Sequence, residues 1–126
     1  MILGIGNDII EVARIKANLE RYKQRFIDRV FTPQEQEYCL SRKEPALHFA
    51  GRFAAKEAIV KALGTGFSQG ITWLDIEIKN DSNGKPCAII SPHLADLFGC
   101  LPFLHISISH CHTYATAFAI WVKEAV

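Results

Sequence analysis

Asp8 and Glu57 are the two acids whose settings invite chemistry. Asp8 follows a short apolar run, residues 2–7, in which Gly4 and Gly6 let a backbone or a ligand come close. Glu57 belongs to the stretch GRFAAKEAIVKALGTG, residues 51–66. With Phe49 at zero and about 100° per residue, Phe49, Phe53, Val60 and Leu63 share a broad apolar stripe. Gly51, Ala55, Ala58 and Ala62 form a second, smooth stripe nearly opposite, and Arg52, Lys56, Glu57 and Lys61 are scattered between the two. A carboxylate between two packed faces is costly unless a cation or donors satisfy it. Two carboxylates from separate elements, with phosphate oxygens, suit Mg²⁺, which takes oxygen ligands and commonly bridges substrate phosphates. Each acid also has a structural reading. Asp8-Ile-Ile-Glu11 fits a capping box. Glu57 and Lys61 fit an i,i+4 pair worth about 0.2–0.5 kcal/mol.

Four further groups have chemical potential. Lys61, followed by Gly64-Thr65-Gly66, can meet a phosphate, or the glycines can simply end a helix. They follow the helix instead of preceding it, so this is not a P-loop. Alternation in His105-Ile-Ser107-Ile-Ser109-His110 puts His105, Ser107 and Ser109 on one strand face. That face is either the wet side of a sheet or a set of groups for a phosphate or a proton. His110-Cys111-His112 lacks a second Cys/His pair at zinc-like spacing, which disfavours a transition metal. Arg14, Lys16, Arg21, Lys23, Arg25 and Arg29 against Glu20 and Asp28 make a solvated face or a docking surface for an acidic partner. Without interleaved exposed aromatics, nucleic acid is disfavoured. No G-x-S-x-G elbow supports a serine hydrolase.

The elements that must carry these groups follow from pattern. A strand over 2–7 leads into a helix with Val12, Ile15, Leu19, Tyr22 and Phe26 at helical steps. Thr32-Pro33-Gln34-Glu35 opens a helix to about Arg42, and another follows Pro45 and ends at the glycine stop. Residues 73–79 alternate as a half-buried strand. Asn83-Gly84-Lys85-Pro86 turns into a strand over 87–90, and Ser91-Pro92 opens a short helix ending near Gly99. Strands over 103–109 and 114–122 make a hairpin. Helices lead and antiparallel strands follow, so the expected class is α+β in one domain, 1–126. Net charge is +1, so no bulk pull toward nucleic acid or membrane follows. No run approaches the roughly 20 apolar residues of a membrane span, and the first residues lack a basic leader. Four cysteines without CxxC spacing suit reduced cytosolic thiols and a cytoplasmic protein.

The stretches GIGNDIIEVARI (4–15), FTPQEQEYC (31–39), FAGRFAAKEAIVKALGTG (49–66), NGKP (83–86) and HISISH (105–110) together resemble the holo-[acyl-carrier-protein] synthases, the small bacterial-type 4'-phosphopantetheinyl transferases. They occur in that family's order across nearly the whole chain. The resemblance implies transfer of 4'-phosphopantetheine from coenzyme A to a serine of acyl carrier protein, releasing adenosine 3',5'-bisphosphate. It implies Mg²⁺ on Asp8 and Glu57, with Lys61 and His105 in the catalytic set. Lys61, Gly64, Thr65, Lys85, Pro86, His105 and Ser107 become coenzyme contacts. Arg14, with Arg21, Lys23 and Arg25, becomes the face that docks the acidic carrier. A homotrimer with active sites between subunits is also implied.

Overall fold

The computed structural model describes residues 1–123; residues 124–126, the end of the expected 1–126 unit, lie outside the described residues. The first strand, β1 (Ile2–Glu11), runs past Asp8 and pairs antiparallel with the last, β5 (Tyr114–Val122), as far as Glu11 opposite Tyr114. Asp8 therefore lies opposite Ala117 within the ladder and caps no helix. The capping box is corrected because β5 offers backbone partners all the way to residue 114, and a continuous ladder outcompetes one local side-chain bond. The helix begins instead at α1 (Val12–Tyr22), where the Val12 N–H donates to Thr113 O at 2.9 Å.

The basic helix is also two helices. α1 stops at Lys23, which has φ 51° and ψ −129°, and α2 (Gln24–Val30) starts anew. A non-glycine residue there stores roughly 1–3 kcal/mol. The turn brings Phe26 edge-on to Phe31 at 5.9 Å, burying apolar surface that one straight helix would leave outside. α3 (Pro33–Leu40) has the expected capping box: Glu35 N–H donates to Thr32 Oγ1, and Thr32 N–H to Glu35 Oε1. It ends two residues before Arg42.

The long helix α4 (Pro45–Leu63) closes on Gly64 at φ 77°, a left-handed cap suited to glycine. Its smooth stripe packs on the sheet. A Cβ on Gly4 would overlap the Ala62 carbonyl, and one on Gly6 the Ala58 carbonyl. The two glycines thus admit the helix backbone, not a ligand. Ala115, Ala117 and Ala119 are buried beneath the same helix, so the alanine stripe of β5 makes an intramolecular helix–sheet contact.

Residues 73–75 form one 3-10 turn where a strand was expected, because Thr72 N–H donates to Asp75 Oδ2 at 2.8 Å. The strand starts at β2 (Ile76–Asn80) and pairs antiparallel with β3 (Pro86–Ile90). Ser91 caps α5 (Pro92–Phe98), and β4 (Phe103–His110) forms the expected hairpin with β5. The result is α+β: a three-stranded antiparallel sheet ordered β1-β5-β4 with α4 packed on one face, and a separate β2-β3 pair whose β3 lies beside β4.

Candidate active site

The glycine contact that seats β1 on α4 also fixes Asp8. Gly6 and Asp8 share one strand face, so closing Gly6 on Ala58 aims Asp8 at the neighbouring helical turn. Asp8 and Glu57 meet in a cleft of about 260 Å³ with Arg14, Asn18 and Phe53 on its walls. Burial, then the Asp8 charge, push the Glu57 carboxyl above its ordinary pKa, while Lys61 pulls it back. Lys61 does not pair with Glu57 as the i,i+4 spacing allowed. Its Nζ donates to Asn7 O at 3.0 Å and to Asp8 Oδ1 at 3.2 Å, because the strand brings both oxygens over the helix end. The Asp8 side chain is 17% exposed and that of Lys61 51%, so the lysine reaches solvent beside a sheltered carboxylate.

The donor set fits a hard divalent cation. Both anionic ligands are carboxylates, and their mutual repulsion is what a dication would relieve. No group of three His, Cys, Asp or Glu among the described residues gathers to hold a metal, so a cation on Asp8 and Glu57 would take water or phosphate oxygens for the rest of its shell. Of the stretch His110-Cys111-His112, His110 ends β4 and His112 Nδ1 lies 3.7 Å from a Glu44 carboxylate oxygen. Beyond Lys61, the Thr65 hydroxyl is buried without a hydrogen-bond partner among the described residues, and open space surrounds Gly64.

Other candidates lie apart. His105 and Ser107 are exposed on β4, opposite Ile120 and Phe118 of β5, and β5 separates them from β1. Within one chain they do not reach the Asp8 cleft. Lys85 is exposed in the turn, where its N–H donates to Asp81 Oδ1. Pro86 lines a different cleft, of about 220 Å³, with Arg52, His48 and His110. On the basic face, Arg14 joins the acid cleft, while Arg25 lines a groove of about 360 Å³ with Tyr22, Phe26 and Arg29. Asn18 borders both, Arg21 lies 5.2 Å over the Tyr22 ring, and Lys23 is the elbow.

Sequence reasoning missed Asn18, Phe53 as a wall, and the setting of Arg52. Arg52 is 4% exposed, with its guanidinium carbon 4.0 Å over the Tyr38 ring. An arginine in a helix without a polar face was the available signal, but its partners come from α3 and β2.

A strand carboxylate and a helical carboxylate over one cleft, the first paired to a lysine at the helix end, are the kinds of group that phosphoryl transfer employs. The 4'-phosphopantetheinyl transferase superfamily matches residues 4–119, and the chain belongs to that family. Among curated relatives, a holo-[acyl-carrier-protein] synthase of Protochlamydia amoebophila is 72% identical over 96% of this chain and 98% of its own. A crystal structure of holo-[acyl-carrier-protein] synthase from Neisseria meningitidis superposes with TM-score 0.88 at 34% identity, covering 98% of this chain and 100% of that one. The Helicobacter pylori enzyme, solved in complex with coenzyme A, gives TM-score 0.84 at 34% identity, covering 94% of this chain and 99% of that one.

Proposed function

We propose that this chain moves the 4'-phosphopantetheine arm of coenzyme A onto a serine of apo acyl carrier protein. The observation that carries the reading is the convergence of Asp8, Glu57 and Arg14 on one cleft, with Lys61 paired to Asp8 beside it. The serine oxygen attacks the phosphorus that bears the arm. A new P–O bond forms, the serine proton leaves, and the bond to adenosine 3',5'-bisphosphate breaks. Glu57, whose carboxyl burial and Asp8 hold above its ordinary value in the chain without a metal, would with water take that proton. Lys61 offsets charge on the leaving pyrophosphate oxygens. Thr65, whose hydroxyl has no hydrogen-bond partner among the described residues, and Gly64, with open space beside it, are the candidates to contact those oxygens. Asp8 and Glu57 would hold Mg²⁺, whose chemistry when bound is to polarise phosphoryl oxygens.

The carrier docks on α1 and α2, with Arg14 at the cleft and Arg21, Lys23 and Arg25 beyond it. Three copies complete the sites. The outer sheet face leaves Ile5 68%, Ile9 63% and Phe118 56% exposed, an apolar surface that a neighbouring copy would cover. The same face carries His105 and Ser107, so a neighbour's β4 can supply to the Asp8 cleft what its own chain cannot. Lys85 and Pro86 would then contact the coenzyme from that neighbour. No helix among the described residues is long and apolar enough to cross a membrane, and the cysteines are free thiols, which suits the cytoplasm.

The test is a mass measurement on apo carrier protein incubated with this chain, coenzyme A and Mg²⁺. The carrier gains the mass of the arm with the native chain and with neither Asp8→Ala nor Glu57→Ala, both folded. Normal loading by either variant overturns the assignment of the two acids.

A further inference from the structure

Thr65 lies in the loop 64–72, which joins the Lys61 end of α4 to the turn at Trp73. Positive φ at Gly64, Gly66, Gln69 and Gly70 folds this loop back on itself. Gln69, at φ 58°, carries a side chain, and such a residue keeps that conformation only where its surroundings hold it. The near end is fastened to the helix, since Thr65 and Gly66 N–H both donate to Val60 O, at 3.1 and 3.3 Å. The far end is fastened through Asp75, which accepts from Thr72 N–H at 2.8 Å and from Ser91 Oγ at 2.7 Å. In between, the Phe67 ring stacks on Trp73 at 4.0 Å, and Trp73 stacks in turn on Phe53, a wall of the acid cleft.

A further tie comes from α5. His93 Nε2 lies 3.2 Å from Gly70 O. A carbonyl oxygen only accepts, so Nε2 carries the hydrogen and donates it. Leu94, the next residue, is fully buried and anchors α5, while the His93 side chain stays on the surface. From Gly70 a chain of bonds leads back toward the helix. Ile71 N–H donates to Ser68 O at 3.0 Å, and Ser68 Oγ donates to Thr65 O at 2.6 Å. The chain ends on the residue whose hydroxyl is buried without a partner among the described residues.

We propose that His93 is a positioning residue for the coenzyme side of the reaction: its bond to Gly70, relayed through Ser68, holds Thr65 in place for the donor's phosphate oxygens. The proposal rests on the coenzyme A transferase reading and adds to it a residue that touches no substrate. A loop released from His93 has more conformations to give up when the coenzyme binds, so the loss falls on affinity. The acids of the cleft keep their places on β1 and α4, so the transfer step in the bound complex is unchanged.

Two substitutions separate the bond from the ring. His93→Phe keeps a ring and loses the donor; His93→Gln loses the ring and keeps an N–H donor. In calorimetric titration with coenzyme A and Mg²⁺, His93→Phe binds about three- to tenfold more weakly than the native chain, the worth of one neutral hydrogen bond. His93→Gln recovers most of that affinity. With coenzyme A saturating, kcat for carrier loading stays native in both, as does the urea midpoint, while the Ile71 amide exchanges faster in His93→Phe. Ser68→Ala weakens binding by a similar factor, and Ser68→Ala with His93→Phe is no weaker than the worse single variant, because both cut one chain. Native affinity in His93→Phe, no recovery in His93→Gln, a loss confined to kcat, or additive losses in the double variant each overturn the positioning role and leave the transferase reading intact. Failure of the native chain to bind coenzyme A overturns both.

Discussion

Glu35 and Glu57 meet the same helix at neighbouring positions and are treated in opposite ways. Glu35 is fully buried against Lys56, at 2.7 Å, with both side chains at 0% exposure. Its Oε1 also accepts from Thr32 N–H, and its Oε2 accepts from Ile78 N–H at 2.8 Å. Lys56 gives its remaining hydrogens to Val30 O at 2.6 Å and Trp73 O at 3.0 Å. Three ammonium donors thus meet three acceptors, and the pair ties α2, α3, α4 and β2 together. Glu57, one residue further along, is acted on by burial, by the like charge of Asp8 and by Lys61, with no hydrogen bond among those influences. The difference teaches how to read charges in a two-faced helix. A buried charge with every partner supplied is scaffold; one left short of partners at a cleft is waiting for something the chain does not provide.

The largest effect that can break this comparison is on stability. Lys56→Met leaves the Glu35 carboxylate buried without its cation and costs about 3–5 kcal/mol, read from urea unfolding. Lys56→Met with Glu35→Leu recovers much of that loss, because a well-packed apolar pair avoids desolvating two charges. A single-variant cost under about 1 kcal/mol would place Lys56 and Glu35 in the same category as surface pairs and end the contrast.

Gly6→Ala comes next. The added methyl meets the Ala58 carbonyl and forces β1 away from α4, at roughly 1–3 kcal/mol. Carrier loading falls further than stability alone explains, since the shift withdraws Asp8 from Glu57. Native loading rates in a folded Gly6→Ala chain would mean that this contact does not position the acids.

Local signals made much of this visible in advance. The Thr32–Glu35 box, the Pro45 start and the Gly64 stop depend on residues within a few positions of each other, and all three stand in the structure. The smooth stripe 51–55–58–62 announced a close-packed face, and it met β1, β4 and β5. What failed was decided at a distance. The length of β1 depends on partners more than 100 residues away, so a capping pattern at Asp8 misled. The break at Lys23 depends on where Phe26 must pack, which apolar periodicity does not encode. Glu35 and Lys56, 21 residues apart, belong to different local patterns, so the scaffold pair was not legible while the neighbouring Glu57 stood out. Asp8 and Glu57 were legible as a pair through chemical type and family resemblance; their meeting required the fold.

The smallest effect has the opposite sign and is the sharpest discriminator. Burial and Asp8 raise the folded Glu57 carboxyl above its ordinary 4.5. Between that value and the raised one, the folded state binds more protons than the unfolded state. Stability therefore falls as pH rises through this window, and the loss persists at neutral pH. Glu57→Gln removes the ionisation and should raise the thermal midpoint at about pH 7, by less than about 1 kcal/mol because the cleft is open to water. At about pH 4 the native chain and the variant should melt together, since the native carboxyl is then protonated. Saturating Mg²⁺ should stabilise the native chain more than the variant, because a ligand stabilises only the state that binds it. A Glu57→Gln chain less stable than the native one at neutral pH would mean that Glu57, like Glu35, already has its partner within the chain.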